Sequence, residues 1–210
     1  MLLLVIPKNW DVKASYENSA SNLTRGEAIA LIVDGFSLEK KYRVLIHDCL
    51  INDGECFFAC SAMSDYAGIR LEPLILYPDV FPAHPYAKKI NIATILGLVH
   101  GHLEVESTPF YPQEPITRIQ ALRVMLEAGN LMSWKEQFEL KNTPSPVTGF
   151  KDIDSNSEMF SWWYGRYVSY ALEQGIVPGG DYFGPNEPLA KEEFNSMLEK
   201  ILALSSSEND

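Results

Sequence analysis

Three cations stand at one recurring place in this chain. Arg25 follows Leu23-Thr24, Arg118 follows Ile116-Thr117, and Lys191 follows Leu189-Ala190. Each opens a run of apolar residues spaced for one helical face, such as Ile119, Leu122 and Leu126. A cation in the first turn opposes the helix dipole by roughly a few tenths of a kcal/mol. The arrangement makes better sense if an anion docks there, gripped by the cation and by exposed helix N–H groups together. Other chemistry is thinly represented. His100-Gly-His102 with Glu104 has no third well-placed metal ligand. Asp152-x-Asp154-x-Asn156-x-Glu158 begins like a calcium loop, but its sixth position is Ser157 and its twelfth Trp163, where glycine and glutamate belong. No nucleophile elbow, Walker or dinucleotide motif is present, so nothing positive supports an enzyme. Neither a cofactor nor a metal is expected.

The elements that must position the cations repeat. Asp79 lies 39 positions before Arg118, and Asp152 lies 39 before Lys191. Between these anchors each copy has a helix-like stretch, over 85–96 and 159–174, ending in Gly97-Leu98-Val99 or Gly175-Ile176-Val177. Gly97 and Gly175 sit where a left-handed helix C-cap belongs. A second glycine follows, Gly101 or Gly179, then Phe110-Tyr-Pro or Phe183-Gly-Pro. The first helices carry apolar stripes, Tyr86, Ile90 and Ala93 in one and Trp163, Tyr167 and Tyr170 in the other. Thr24-Arg-Gly-Glu27 and Thr117-Arg-Ile-Gln120 are capping boxes, so the second helices start there. Ala190 lacks the capping hydroxyl, a local loss of about 1 kcal/mol. A third copy near the start shows only its second half, at 23–35. Counting 39 back from Arg25 falls before Met1, although Trp10-Asp11-Val12 resembles a remnant.

Six segments follow: a partial first repeat (1–35), an insertion (36–76), a second repeat (77–129), a linker (130–149), a third repeat (150–203) and a polar tail (204–210). The insertion holds Cys49, Cys56 and Cys60, whose spacing matches no zinc pattern. A local disulfide with one free thiol, or three buried thiols, both remain open. The linker contains Thr-Pro-Ser-Pro and reads as an extended connection. Units of about 50 residues cannot bury both faces alone, so they must pack together.

Composition narrows the function. With 46% hydrophobic residues in 210, the chain can bury a sizeable core. Its net charge of −11 repels phosphates, which argues against general nucleic-acid binding or adhesion to anionic membranes. No apolar stretch approaches the roughly 18 residues of a membrane span. The opening Met-Leu-Leu-Leu-Val-Ile is too short for a signal-peptide core. The chain is therefore expected to be cytoplasmic, or its export signal to lie outside this sequence.

In their order, these features resemble the S-layer homology domain: the aromatic-x-Asp-Val/Ile opening, the aromatic first helix, the Gly-aliphatic ending, the second glycine, the Phe-x-Pro turn and Thr-Arg-x-Glu. The resemblance covers nearly all of 77–129 and 150–203, plus 23–35. It implies a mainly α fold of three helix-loop-helix repeats in a pseudo-threefold prism. Helices at about 24–35, 117–129 and 190–203 would form its central bundle. It also implies a non-catalytic cell-surface anchoring module, extracellular in the wall or surface layer. Such a module binds an anionic secondary cell-wall polysaccharide, often pyruvylated, in grooves between repeats. On that reading the groove residues are Arg25, Arg118, Lys191, Thr24, Thr117, Asp79, Asp152, Trp163, Tyr86, Gly101 and Gly179. The aspartates would accept from hydroxyls or orient the cations, and the aromatics would stack on sugar or wall the groove.

Every one of these residues also admits a purely structural role. The cations can ion-pair with Asp79, Asp152 or a neighbouring repeat. Trp163 can fill the core. Gly101 and Gly179 can serve a turn needing positive φ. The departures weigh too: Lys191 lacks the bidentate fork of arginine, His84-Pro85-Tyr86 stands where the family has Trp, and the first repeat lacks its front half. An alternative function is therefore a structural or assembly protein acting through contacts with other surface-layer proteins. An accessory part of a hydrolase would need a catalytic domain elsewhere. Loss of glycan binding in Arg118→Ala without loss of fold separates anchoring from assembly.

Overall fold

The computed structural model describes residues 22–43, 77–99, 109–140, 142–154 and 163–207. Gly101, the His-x-His pair, the three cysteines and Asn156 with Glu158 lie outside them. Among the described residues the chain is mainly helical and holds no strand, only three isolated antiparallel bridges. The helices are α1 (Arg25–Gly35), α2 (Leu38–Lys41), α3 (Ala87–Ile95), α4 (Arg118–Ala128), α5 (Trp134–Glu139), α6 (Lys151–Asp154), α7 (Tyr164–Glu173) and α8 (Lys191–Ser207).

Helices α1, α4 and α8 each touch the other two. Their starts are tied by a ring of three backbone hydrogen bonds. Leu23 N–H donates to Leu189 O (3.3 Å), Leu189 N–H to Ile116 O (3.0 Å), and Ile116 N–H to Leu23 O (3.0 Å). The three side chains of that ring are buried. Below it, Ile29, Ile32, Ile119, Leu122, Met125, Phe194, Met197 and Ile201 fill the space between the helices. The ring has a physical logic. Each residue precedes a cap position, where its N–H and C=O have no helical partner and must find one elsewhere.

The outer helices follow a rule of succession. Helix α3 lies against α1, and α7 against α4, so each packs on the preceding second helix. Gly97 and Gly175 follow the outer helices with φ of 69° and 65°, as their C-cap positions require. A buried polar joint fastens α7 to α4. Tyr167 Oη donates to Glu127 Oε1 (2.6 Å), and Arg123 Nε donates to the same oxygen (2.8 Å). Burial first, then the Glu127 carboxylate, push the Tyr167 phenol well above its ordinary range.

The linker is not wholly extended. Helix α5 occupies its first part, because the two prolines come only at 144 and 146. Ahead of them Ser133 O accepts from Gln137 N–H (3.0 Å) and helix-forming side chains follow. Beyond α5, Arg166 of α7 clasps the strap, donating through Nη2 to Leu140 O (2.9 Å), Thr143 O (3.0 Å) and Pro144 O (3.3 Å). No helix among the described residues is long and apolar enough to cross a membrane.

Candidate functional site

Two equivalent constellations lie where a turn of one copy meets the start of a preceding second helix. Each begins with a capping box. Thr24 Oγ1 accepts from Glu27 N–H (3.2 Å), and Glu27 Oε2 accepts from Thr24 N–H (3.0 Å). Thr117 and Gln120 make the same reciprocal pair at 3.4 and 3.3 Å. The next N–H groups are already taken. Arg25 N–H donates to Glu114 O (2.8 Å) and Gly26 N–H to Pro112 O (2.9 Å). Arg118 N–H donates to Glu187 O (3.0 Å) and Ile119 N–H to Pro185 O (3.1 Å). The expectation of exposed helix N–H groups therefore fails at α1 and α4. The neighbouring Phe-x-Pro turn caps each helix, and only the cation side chains remain to meet an anion.

The turns themselves are held by the two aspartates. Asp79 accepts from Phe110 N–H (2.8 Å) and Tyr111 N–H (2.6 Å). Asp152 accepts from Phe183 N–H (2.9 Å) and Gly184 N–H (2.7 Å). Each oxygen of both carboxylates accepts one backbone N–H, so these residues hold the turn. The turn then sets an aromatic ring beneath each guanidinium. Arg25 lies 4.9 Å from the Phe110 ring centroid and Arg118 lies 5.7 Å from that of Phe183.

The two arginines differ sharply in their partners. Arg118 forms a fork with Glu193, Nε to Oε1 at 2.8 Å and Nη2 to Oε2 at 3.1 Å. Its Nη1 donates to Phe183 O, to Gly184 O (3.0 Å) and to Glu187 Oε2 (3.2 Å). Among the described residues the Arg25 side chain has one long hydrogen bond, Nη1 to Gln120 Oε1 at 3.4 Å, and its buried Nε finds no acceptor. A shielded donor without an acceptor costs about 1–3 kcal/mol. Burial pulls the Arg25 guanidinium below its ordinary value, although Glu114, Tyr77 and Asp79 oppose that pull through space. Burial also lowers Arg118, but Glu193 and Glu187 outweigh it and hold that group above its ordinary value.

The turn backbone explains part of the contrast. Gly184 has φ 69°, and a Cβ there would collide with Arg118 Nη1 and the Glu187 carboxylate. Tyr111 occupies the matching position with φ 56° and does carry a Cβ. An aromatic residue in the left-handed region costs roughly 1–2 kcal/mol. The pose that Arg118 adopts is thus closed to Arg25.

Residues 76–122 and 149–194 match the S-layer homology domain. The match occurs twice, once in each of these segments. S-layer homology domains are generally cell-surface anchoring modules that bind cell-wall polymers; the family is not a catalytic one. They occur in proteins associated with the cell envelope. No curated protein matches the chain.

Each constellation joins a turn of one matched segment to the start of an earlier helix, α1 or α4. The structure brings Arg25, Thr24, Asp79 and Tyr86 to one of them and Arg118, Thr117 and Asp152 to the other. Tyr86 is half-buried, with its ring against Gly26 and its N–H donating to His84 Nδ1 (3.2 Å). Burial, followed by the nearby Glu27 carboxylate, raises its phenol. Trp163 packs edge-on against Tyr164 (4.6 Å) and Tyr167 (5.5 Å) and meets Arg123, so it belongs to the α4–α7 joint. Lys191 is exposed at the start of α8. Gly179 is exposed and does not take positive φ. Sequence reasoning missed Glu193, Glu187 and Tyr111. The signal was available in two paired differences, Gln120 against Glu193 and Tyr111 against Gly184.

Proposed function

We propose that this chain is a non-catalytic module that anchors its protein to a cell wall by binding an anionic secondary polysaccharide, pyruvylated ones included. The three repeats, the first of them partial, would form a pseudo-threefold prism around α1, α4 and α8. The ring of hydrogen bonds among Leu23, Ile116 and Leu189 supports that arrangement. The polymer would lie in the grooves at Arg25 and Arg118 and near Lys191, with Thr24, Thr117, Tyr86, Trp163, Gly101 and Gly179 contributing. Asp79 and Asp152 would act by shaping the turns.

One observation carries this reading. Two segments match a wall-anchoring domain, and the turn aromatic of each, Phe110 or Phe183, lies beneath an arginine of an earlier helix. A net charge of −11 makes long-range attraction of an anion unfavourable, so recognition has to be short-range. Sedimentation with wall sacculi from the source organism tests it. The protein should co-sediment with intact sacculi and stay soluble when the secondary polymer has been stripped. Equal co-sedimentation with both would overturn the reading.

The second reading is a structural or assembly role among surface-layer proteins. Its favouring observation is Arg118, whose donors are already spent on Glu193, Glu187 and two carbonyls. On this reading co-sedimentation depends on a protein component of the envelope and survives stripping of the glycan.

A further inference from the structure

We infer that the two equivalent grooves are in opposite states, the Arg25 groove open to a carboxylate ligand and the Arg118 groove closed by the chain's own Glu193. This rests on the wall-glycan reading and refines it. The argument is a comparison within one molecule. Arg25 and Arg118 hold the same place in their helices, over the same aromatic of the same turn, behind the same aspartate clamp. What differs is the residue at the third helical position of the next second helix. At α8 it is Glu193, whose two oxygens take the Nε and Nη2 edge of Arg118. At α4 it is Gln120, a neutral amide. Its oxygen is shared between Thr117 N–H (3.3 Å) and Arg25 Nη1 (3.4 Å).

A carboxylate presented to the Arg118 fork must displace Glu193, which has the same chemistry and is covalently tethered at high effective concentration. At Arg25 it meets a guanidinium edge with no carboxylate in bonding contact and an Nε lacking any acceptor. Entry there displaces a neutral amide oxygen held by two long bonds, from Arg25 Nη1 (3.4 Å) and Thr117 N–H (3.3 Å). Tyr111 reinforces the difference. Its Cβ occupies the space through which Arg118 reaches the matching turn carbonyls, so Arg25 stays unspent. Tyr111 is itself exposed. The ligand class is a carboxylate carried on a sugar ring, the carboxylate for the guanidinium fork and the ring for the aromatic face.

The test uses the full chain and a methyl hexoside bearing a 4,6-pyruvate ketal. Binding is followed through the arginine Nε–H signals in NMR titrations, with the parent methyl hexoside as the uncharged control. The ketal should move the Arg25 signal and leave Arg118 still, with one equivalent bound. Gln120→Glu recreates the closed state and should weaken binding about tenfold or more, the scale of one charge-assisted hydrogen bond. Glu193→Gln should add a second equivalent and make the Arg118 signal respond. Gln120→Glu keeps a side chain able to complete the capping box with Thr117. Equal response of both arginines in the unmodified chain, an unchanged affinity in Gln120→Glu, or no response at Arg25 would overturn the inference. The wall-anchor reading is judged separately by sacculus sedimentation. Polymer-dependent sedimentation with equal arginine responses sinks only the groove inference. An Arg25-only response without sedimentation sinks only wall anchoring.

Discussion

Asp79→Asn and Asp152→Asn should differ in cost, although the two carboxylates make the same pair of bonds. In each variant the amide keeps one acceptor oxygen and turns an N–H group toward the second backbone N–H. One charge-assisted hydrogen bond is lost, about 1.5–3 kcal/mol, and the half-buried setting favours the lower end. At Asp152 the released residue is Gly184, which holds φ 69° without penalty. At Asp79 it is Tyr111, held at φ 56° by a 2.6 Å bond. Once released, Tyr111 can return to an extended conformation and recover roughly 1–2 kcal/mol. Asp152→Asn should therefore lose about 2 kcal/mol and Asp79→Asn about 1 kcal/mol or less. Equilibrium urea unfolding of the full chains, followed by tryptophan fluorescence, measures both. A loss in Asp79→Asn equal to or larger than that in Asp152→Asn would refute the claim that Asp79 holds Tyr111 under strain.

Further outcomes follow from the α4–α7 joint and the linker strap. Tyr167→Phe removes a buried donor from Glu127 without leaving a cavity, and should cost about 1.5–3 kcal/mol in the same assay. Tyr164→Phe, whose 3.3 Å bond to Asn186 is exposed, should cost under about 1 kcal/mol. The raised Tyr167 phenol also sets an alkaline limit. Below about pH 10 folded and unfolded chains both keep that proton, so its contribution is whole. Above it the unfolded chain ionises first and stability falls by up to about 1.4 kcal/mol per pH unit. Tyr167→Phe should flatten that fall when unfolding is measured between about pH 10 and 11.5. Arg166→Ala removes the clasp on Leu140, Thr143 and Pro144 and should speed limited proteolysis there while changing global stability by less than about 1 kcal/mol. Cleavage at the unmodified rate would show that the strap is held by something else.

The helices were legible because their signals are local. The Thr24 and Thr117 capping boxes, the Gly97 and Gly175 ends and the apolar faces of α1 and α4 fix boundaries with no knowledge of the partner. In the linker the Thr-Pro-Ser-Pro run signals extended chain only for the second half, and a short helix starts after Ser133 ahead of it. The candidate site was legible only in outline. Arg25 and Arg118 stood out by their position, but their states depend on Gln120 and Glu193, which arrive from other helices. The helix N–H groups read as vacant because the carbonyls that cap them, from Pro112, Glu114, Pro185 and Glu187, come from turns far along the chain. Asp79 and Asp152 read as ligands for the same reason: their partners lie 31 and 32 residues ahead.

The central claim is that the chain binds an anionic wall glycan and not the wall as such. Titration calorimetry of the full chain with polysaccharide released from the walls, set beside stripped peptidoglycan, tests it most directly. The account predicts saturable binding to the released polymer that is lost when its acidic groups are removed, and no heat with peptidoglycan. Binding to peptidoglycan alone, or undiminished binding to the neutralised polymer, would contradict it.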